Sequence, residues 1–417
     1  MSDPSSPSRL RPRDYAYLLS ACLVLFGFAV VNGRPLTGHE SVQPQNAREM
    51  LAHHDWLIPT VGGTPWLERP PVPDWALAGI GALAGRGDSD AAARLGPILM
   101  AVLVVGLVGR TAALWYGRAV GLLSGLMLAT MWEFYTFASD PEADMFLCAI
   151  VTGALTLFAH LEFAPGRADD EDRRFLGRRP WRVALLFALL GMTNLAKGLA
   201  FGTLMVVIPA GGYLLWNADR RALHRYVWLW GWLVFLVVAA AWPFVACRRY
   251  PGAVELWLSD YVGRWERSPF HEPPWYYAQQ LLIVTLPWPL VALLGLVGTR
   301  RQAFARRGTP ERFLWCWAVL TPAVLSIPDG KHHHYLLQCL APWAVLAALG
   351  AVRFWRSVPL WPAWLRSPVL GALVVGVTGD LALVALCDQA RGPAWLLPAL
   401  LVAWPAVTFA FCVAVAQ

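Results

Sequence analysis

Long apolar runs alternate with short polar intervals from Tyr15 to the end of the chain. They fall at roughly 15–33, 94–109, 119–138, 145–161, 182–197, 199–216, 226–246, 278–298, 313–327, 334–350, 368–386 and 394–415. A helix of about 20 apolar residues crosses a hydrocarbon core of about 30 Å. The pattern therefore predicts an all-α polytopic membrane protein with about twelve spans, bounded by eleven and thirteen. The runs are continuously apolar and do not alternate, so helices rather than a β-barrel satisfy the backbone. Two pairs, around Gly117 and around Lys197, have very short connections.

The polar interval that follows the first run is richer than a connector needs. It reads RPLTGHESVQPQNAREMLAHHDWLIPTVGGTPWLERPPVPDW from Arg34 to Trp75. Pro44 suits the first turn of a helix running to about His54. Ala47, Met50 and Leu51 stand at i, i+3 and i+4, which predicts a juxtamembrane helix resting on the bilayer surface.

Composition agrees with a membrane class. Hydrophobic residues make up 57% of the 417 and charged residues 15%, against about 25% charged in soluble domains, and the mean hydropathy is +0.47. The net charge of +7 does not indicate nucleic acid, because no basic stripe interleaved with aromatics lies on a soluble segment. Basic residues set topology instead. With the N-terminus in the cytoplasm, 22 of the 34 Lys and Arg fall on inner segments. Both termini are then cytoplasmic, and 34–93, 139–144, 247–277, 328–333 and 387–393 face outward. The chain reads as one membrane domain over 1–417. The first outer loop, 34–93, carries candidate chemistry, 247–277 is a second large outer loop, and no separate soluble C-terminal domain is expected. The charged stretch 162–181 reads as a cytosolic hairpin. The N-terminal span lacks a clear small-residue cleavage site and reads as a retained helix. The seven cysteines form no CxxC pair and mostly sit inside apolar runs; Cys247 and Cys387 fall near outer span ends, where a disulfide is an option. Most of the 23 tryptophans read as belt anchors, and Gly198 with Gly202 reads as a helix-packing GxxxG.

Four constellations gather on the outer side: His39-Glu40 with Glu68-Arg69-Pro70-Pro71; Ser139-Asp140-Pro141-Glu142-Ala143-Asp144; Lys197-Gly198; and Asp329-Gly330-Lys331-His332-His333-His334-Tyr335. Three carboxylates in five residues repel unless a cation or base shares the site. Lys197, Lys331 and Arg69 are suited to grip an anion such as a phosphate. The blander reading makes the acids helix caps and the lysines snorkelling anchors; convergence on one face argues against it. Three adjacent histidines have the wrong spacing for one helical face, so no metal is assigned and a divalent ion stays open. Asp380 stands inside span eleven and calls for a partner.

These residues also carry a resemblance. The first-loop run resembles the first periplasmic loop of GT-C membrane glycosyltransferases, the protein O-mannosyltransferase and aminoarabinose-lipid A transferase relatives. ASDPEADMFL resembles their second acidic loop, whose last Asp corresponds to Asp144. NLAKGLAFG resembles their Ala-Lys-Gly turn, at Lys197. SPFHEPPWYY with Pro287 to Pro289 resembles the loop before their central span. KHHHYLLQCLAPWAVLAA resembles their Lys-x-x-x-Tyr-Leu-Leu-x-x-x-Pro run, at Lys331. The chain departs from the pattern at His39, where the family has the first Asp of an Asp-Glu pair, and at Arg69, where it has Lys.

The resemblance implies a GT-C bundle that moves a sugar from a polyprenyl-phosphate donor to a lipid, glycan or protein acceptor. Transfer would occur on the outer face of the cell's inner or plasma membrane, with inversion. The catalytic candidates are Glu40, Asp144 and His39, the last standing where the family has Asp and suited to act as base because an imidazole titrates near neutral pH. Glu68, Arg69, Asp140, Glu142, Lys197, Arg264, Trp275, Tyr276, Tyr277, Lys331, His332 and Tyr335 are the implied substrate contacts, the aromatic trio lining a prenyl or sugar slot. Membrane lipids are the other expected partners, and nucleic acid is not one. The rival from another class is a transporter or lipid flippase, which would place ionisable residues near the midplane on broken helices and would show uptake without sugar transfer. A non-catalytic scaffold would tolerate loss of His39, Glu40 and Asp144.

Overall fold

Helix α1, Pro12–Val31, leads into a segment of three short elements, predicted to lie on the outer side. These are α2 (Val42–His53), a hairpin of β1 (Thr60–Val61) and β2 (Thr64–Pro65), and α3 (Val72–Ala84). In this computed structural model the described residues are 9–31, 35–85, 89–163, 180–198, 200–218, 220–266, 272–328 and 330–357. The predicted runs 368–386 and 394–415, with Asp329, Asp380 and Cys387, lie outside them, as does most of the charged stretch 162–181.

The bundle continues with α4 (Asp90–Tyr116), α5 (Arg118–Ala129), α6 (Trp132–Phe137), α7 (Ala143–Phe163), α8 (Pro180–Lys197) and α9 (Phe201–Asn217). Next come α10 (Arg220–Tyr226), α11 (Leu229–Arg249), α12 (Ala253–Glu266), α13 (Tyr276–Val284) and α14 (Pro289–Ala305). Helix α15 (Pro310–Trp315) runs through a π turn, Cys316–Leu320, into α16 (Thr321–Leu325), and a 3₁₀ segment, His333–Cys339, opens α17 (Leu340–Ser357). Among the described residues, four helical stretches are long and apolar enough to cross a membrane: Asp90–Tyr116, Ala143–Phe163, Leu223–Arg249 and His333–Ser357. Helices α13 and α14 make a fifth if their 115° bend is one broken span.

The predicted runs are therefore helical but less regular than their hydropathy. The run 119–138 divides at Thr130–Met131 into α5 and α6. At 1.5 Å per residue, the 12 residues of α5 reach only about 18 Å, short of a roughly 30 Å core. The run 278–298 bends at Thr285–Trp288. Hydropathy records the environment of side chains, not the continuity of the backbone.

Packing follows small residues and buried apolar faces. Helix α4 lies against α1, α5 and α7, α8 lies against α7, α9 and α11, and α14 lies against α17. At the last crossing a Cβ on Gly295 would run into the backbone carbonyl of Leu346, and one on Gly350 into that of Val291. On the predicted inner side, Arg118 donates to both oxygens of Asp14 at 2.7 and 2.5 Å, tying the α4–α5 turn to α1. Arg312, buried, donates to the carbonyl of Ala303 at 2.8 Å and to Asn217 Oδ1 at 2.9 Å.

The segment after α1 departs from two expectations. It contains strands, so the fold is not wholly helical. Gly62 and Gly63 sit at φ 60° and 75°, positions open to glycine, and Glu49 on α2 caps their turn. Its carboxylate accepts from Thr60 Oγ1 (2.5 Å), Gly62 N (2.7 Å), Gln45 Nε2 (2.8 Å) and Gly63 N (3.1 Å). Burial pushes the Glu49 carboxyl up, but these hydrogen bonds outweigh it and hold it at about 2. Secondly, the apolar face of α2 is not turned to lipid: Ala47 and Met50 are buried, and the face packs on Leu77 and Ala78 of α3 and on Phe146 of α7.

Three indoles then fasten this segment down. Trp75 donates to the carbonyl of Trp56 (2.6 Å), Trp242 on α11 to that of Leu57 (2.8 Å) and Trp257 on α12 to that of Leu67 (2.8 Å). These tryptophans have structural partners, where composition alone reads as a membrane belt. The GxxxG reading also divides. Gly202 packs closely on Leu147 and Thr193, whereas nothing lies near Gly198, which takes φ 111° in a turn.

Candidate active site

Asp144 stands in the first turn of α7 and Lys197 at the last position of α8. Because the two helices pack together, the ammonium meets the carboxylate in a buried ion pair, each side chain 6% exposed. An acid at a helix N-terminus and a base at a C-terminus also suit the two macrodipoles. Lys197 Nζ lies 5.4 Å from the ring of Tyr335 and 5.9 Å from that of Phe201. Gly198 turns the chain, and Asn194 fixes the turn by accepting from Ala200 N (2.9 Å) and donating to Thr203 Oγ1 (2.9 Å). Arg69 and His334 lie within electrostatic reach of Asp144.

The acidic loop meets the first loop beside this pair. His39 Nδ1 is 3.8 Å from Glu142 Oε1, with the His39 side chain 89% exposed. Burial raises the proton affinity of Glu142 above its ordinary value and Asp144 adds to this, against His39, Lys197 and Arg69. Glu40, by contrast, is buried and committed. It accepts from Thr37 N at 2.7 Å, and its Oε1 stands 3.9 Å from Arg94 Nη1. Arg94 also donates to the carbonyl of Ser139 at 3.3 Å, so it links the two loops.

The Lys331 run closes the other side. Lys331 is 2% exposed and donates to the carbonyl of Glu272 at 2.7 Å. The backbone N–H of His332 donates to Tyr277 Oη at 3.3 Å. His332 and His334 stack at 5.2 Å, while His333 turns away and its Nδ1 meets Glu133 Oε1 at 2.7 Å. Among the described residues no group of three or more His, Cys, Asp or Glu side chains is arranged to hold a metal ion.

With this geometry in place, relatives can be compared. Residues 68–244 match the dolichyl-phosphate-mannose-protein mannosyltransferase family. An undecaprenyl phosphate-alpha-4-amino-4-deoxy-L-arabinose arabinosyl transferase of Pectobacterium carotovorum is 28% identical over 348 residues, covering 79% of this chain and 58% of the relative. A transferase of the same description from Sodalis glossinidius is 30% identical over 347 residues, with the same two shares. ArnT from Cupriavidus metallidurans, solved bound to undecaprenyl phosphate, superposes with a TM-score of 0.72 at 22% identity, covering 95% of this chain and 69% of that one. The archaeal oligosaccharyltransferase AglB from Archaeoglobus fulgidus superposes at 0.58 and 10% identity, covering 92% and 56%. The chain shares the fold of these membrane transferases. It spans somewhat under three fifths of the curated relatives' length.

The family match takes in Glu68, Arg69, Asp140, Glu142, Asp144 and Lys197; His39, Glu40 and the Lys331 run lie beyond it. Glu68 is exposed, and Arg69 and Asp140 are half-buried. Trp275 is exposed, Tyr276 half-buried and Tyr277 buried, so successive residues at the start of α13 face different surroundings. Arg264 lies on α12, and its side chain falls outside the described part. Three residues of the site were not singled out from sequence. Asn194 looks like an ordinary polar residue near a helix end. Arg94 was visible only as one basic residue at a span mouth. Glu133 had a legible signal, an acid inside an apolar run, and it is buried against His333.

Proposed function

We propose that the chain is a membrane glycosyltransferase that moves a sugar from a polyprenyl-phosphate donor to a lipid, glycan or protein acceptor. The observation that carries this is the buried Asp144–Lys197 pair beside Tyr335 and Phe201, with Glu142 in electrostatic reach of it and His39 3.8 Å from Glu142. The relatives support it, being undecaprenyl phosphate-aminoarabinose transferases, and a pentosyl donor is the first to test. Lys197, Lys331 and Arg69 supply positive charge for the phosphate. Glu142, opposite His39, takes the acceptor proton, because Asp144 and Glu40 are already engaged by Lys197 and Arg94.

In the step, the acceptor oxygen attacks the anomeric carbon from the face opposite the phosphate. The carbon–oxygen bond to phosphate breaks, and its electron pair leaves with the prenyl phosphate. The proton passes to the base, and the configuration inverts. Fixed cations where the phosphate gains charge stabilise the transition state more than the ground state. No nucleotide-binding fingerprint stands in the sequence, and a lipid-linked donor suits the outer face, where nucleotide sugars are not supplied.

The reading includes a multi-pass protein of the inner or plasma membrane, with about twelve spans, cytoplasmic termini and the site facing outward. The whole chain, 1–417, forms one membrane domain in which 34–93 and 247–277 are the outer loops. The test supplies purified full chain with a radiolabelled prenyl-phosphate pentose or a nucleotide sugar. It is paired with mass spectrometry of lipid, glycan and protein fractions from cells with and without the gene. Transfer from the prenyl-phosphate donor is expected. Transfer from the nucleotide sugar alone, or unchanged products in all fractions, would overturn the assignment.

A further inference from the structure

Both lysines of the chain stand at the site, and both are withdrawn from solvent. Lys197 is 6% exposed and paired with Asp144; Lys331 is 2% exposed and bound to the Glu272 carbonyl. The lysines act on a lipid phosphate as buried charges, so a direct hydrogen bond at the mouth of the site calls for a more exposed group. His333 has that exposure, 51% for its side chain, two residues after Lys331.

Its orientation is fixed from behind. Glu133 on α6 is buried, with a side chain 3% exposed, and its Oε1 accepts from His333 Nδ1 at 2.7 Å. With Nδ1 taken by Glu133, Nε2 is the ring nitrogen left for a ligand. The backing carboxylate is out of water and places a negative charge directly behind the ring. The alternative, a simple structural pair, would not call for the imidazole to be half exposed while its partner is sealed in. The groups that face His333 are Glu133 from α6, Asp144 from the start of α7, Tyr276 from α13, and its neighbours His332 and His334.

We infer that His333, held as an imidazolium by the positioning carboxylate Glu133, donates through Nε2 to the donor's phosphate and makes donor binding pH-dependent. This rests on the prenyl-phosphate reading above and adds to it a residue and a switch. The donor's phosphate is a diester with one negative charge at every pH considered, and the prenyl phosphate that leaves carries one or two; a charge-assisted hydrogen bond to either is among the stronger contacts a site can offer.

Binding of a short-chain prenyl phosphate to the detergent-solubilised full chain would be measured by calorimetry from pH 5.5 to 9. Wild-type affinity should fall as the pH rises through the imidazole's titration. His333→Ala should bind roughly tenfold more weakly at pH 6 and much as wild type does at pH 9. His333→Lys should stay tight at pH 9, because its charge persists. Glu133→Gln should move the midpoint down by about one unit, a shift that mere loss of packing would not produce. Parallel pH profiles for wild type and His333→Ala would overturn the inference while leaving the prenyl-phosphate reading intact. Absence of binding by the wild type at every pH would overturn both. Activity follows the same pattern, with the change expected in KM for the donor more than in kcat.

Discussion

Replacing Asp144 by Asn tests the centre of the site. The carboxylate and the Lys197 ammonium are both buried at 6% exposure, so removing one charge leaves the other without compensation in a water-poor interior. Breaking a buried pair in this way costs about 3–5 kcal/mol. Asp144→Asn should therefore lower the unfolding free energy by that order, and so should Lys197→Met. Combining them removes both charges, and the double variant should recover most of the loss. Denaturant unfolding of the solubilised protein gives the cycle; a coupling below about 0.5 kcal/mol, the range of independent sites, would refute the pair.

Activity separates from stability in the same variants. The double variant should fold yet transfer sugar about 10²–10³-fold more slowly, the scale of a lost charge that stabilises the departing phosphate. A loss smaller than tenfold would reduce Asp144 to a structural cap. The pH profile adds a sign. Asp144 is one of the two influences that raise the proton affinity of Glu142, the first being burial. Taking its charge away lets Glu142 lose its proton at lower pH. If Glu142 is the base, the acid limb of the pH–rate profile of Asp144→Asn should move to lower pH. An unmoved or upward-moved limb would remove Glu142 from that role.

Three other outcomes follow from particular contacts. Glu49 titrates at about 2 in the fold against an ordinary 4.5, so it contributes about 3 kcal/mol at neutral pH, lost as the pH falls from about 4.5 towards 2; Glu49→Gln should show most of that loss at pH 7, read by unfolding and by proteolysis at the 60–65 hairpin, and equal stability at pH 7 would refute the capping role. Gly295→Ala should disrupt the α14–α17 crossing by about 3 kcal/mol or prevent accumulation, because its methyl meets backbone rather than a movable side chain; a normal melting profile would contradict the close approach. Single cysteines in 34–75 and 328–333 should react with an impermeant reagent from outside, and those in 167–179 only after permeabilisation; labelling of the first loop from the cytoplasmic side would invert the topology.

The class of this protein was readable without coordinates because the membrane solvent writes itself into composition. A backbone in hydrocarbon must satisfy its own polar groups, so apolar runs of span length announce helices. The spacing of Asp144, Lys197 and Lys331 along a recognisable series of motifs also marked the residues of interest. Their partners were another matter. Asp144 and Lys197 are 53 positions apart, Glu133 and His333 are 200 apart, and Trp242 reaches Leu57 across 185. No local pattern relates such pairs; they meet because α6, α7, α8, α11 and the 3₁₀ turn before α17 pack in one arrangement. The same packing decided that α2 lies on α3 instead of lipid, since an apolar helical face records only that something covers it. It likewise decided that both lysines are sealed while His333 is open. Charge is a property of the residue, whereas exposure is a property of everything folded around it.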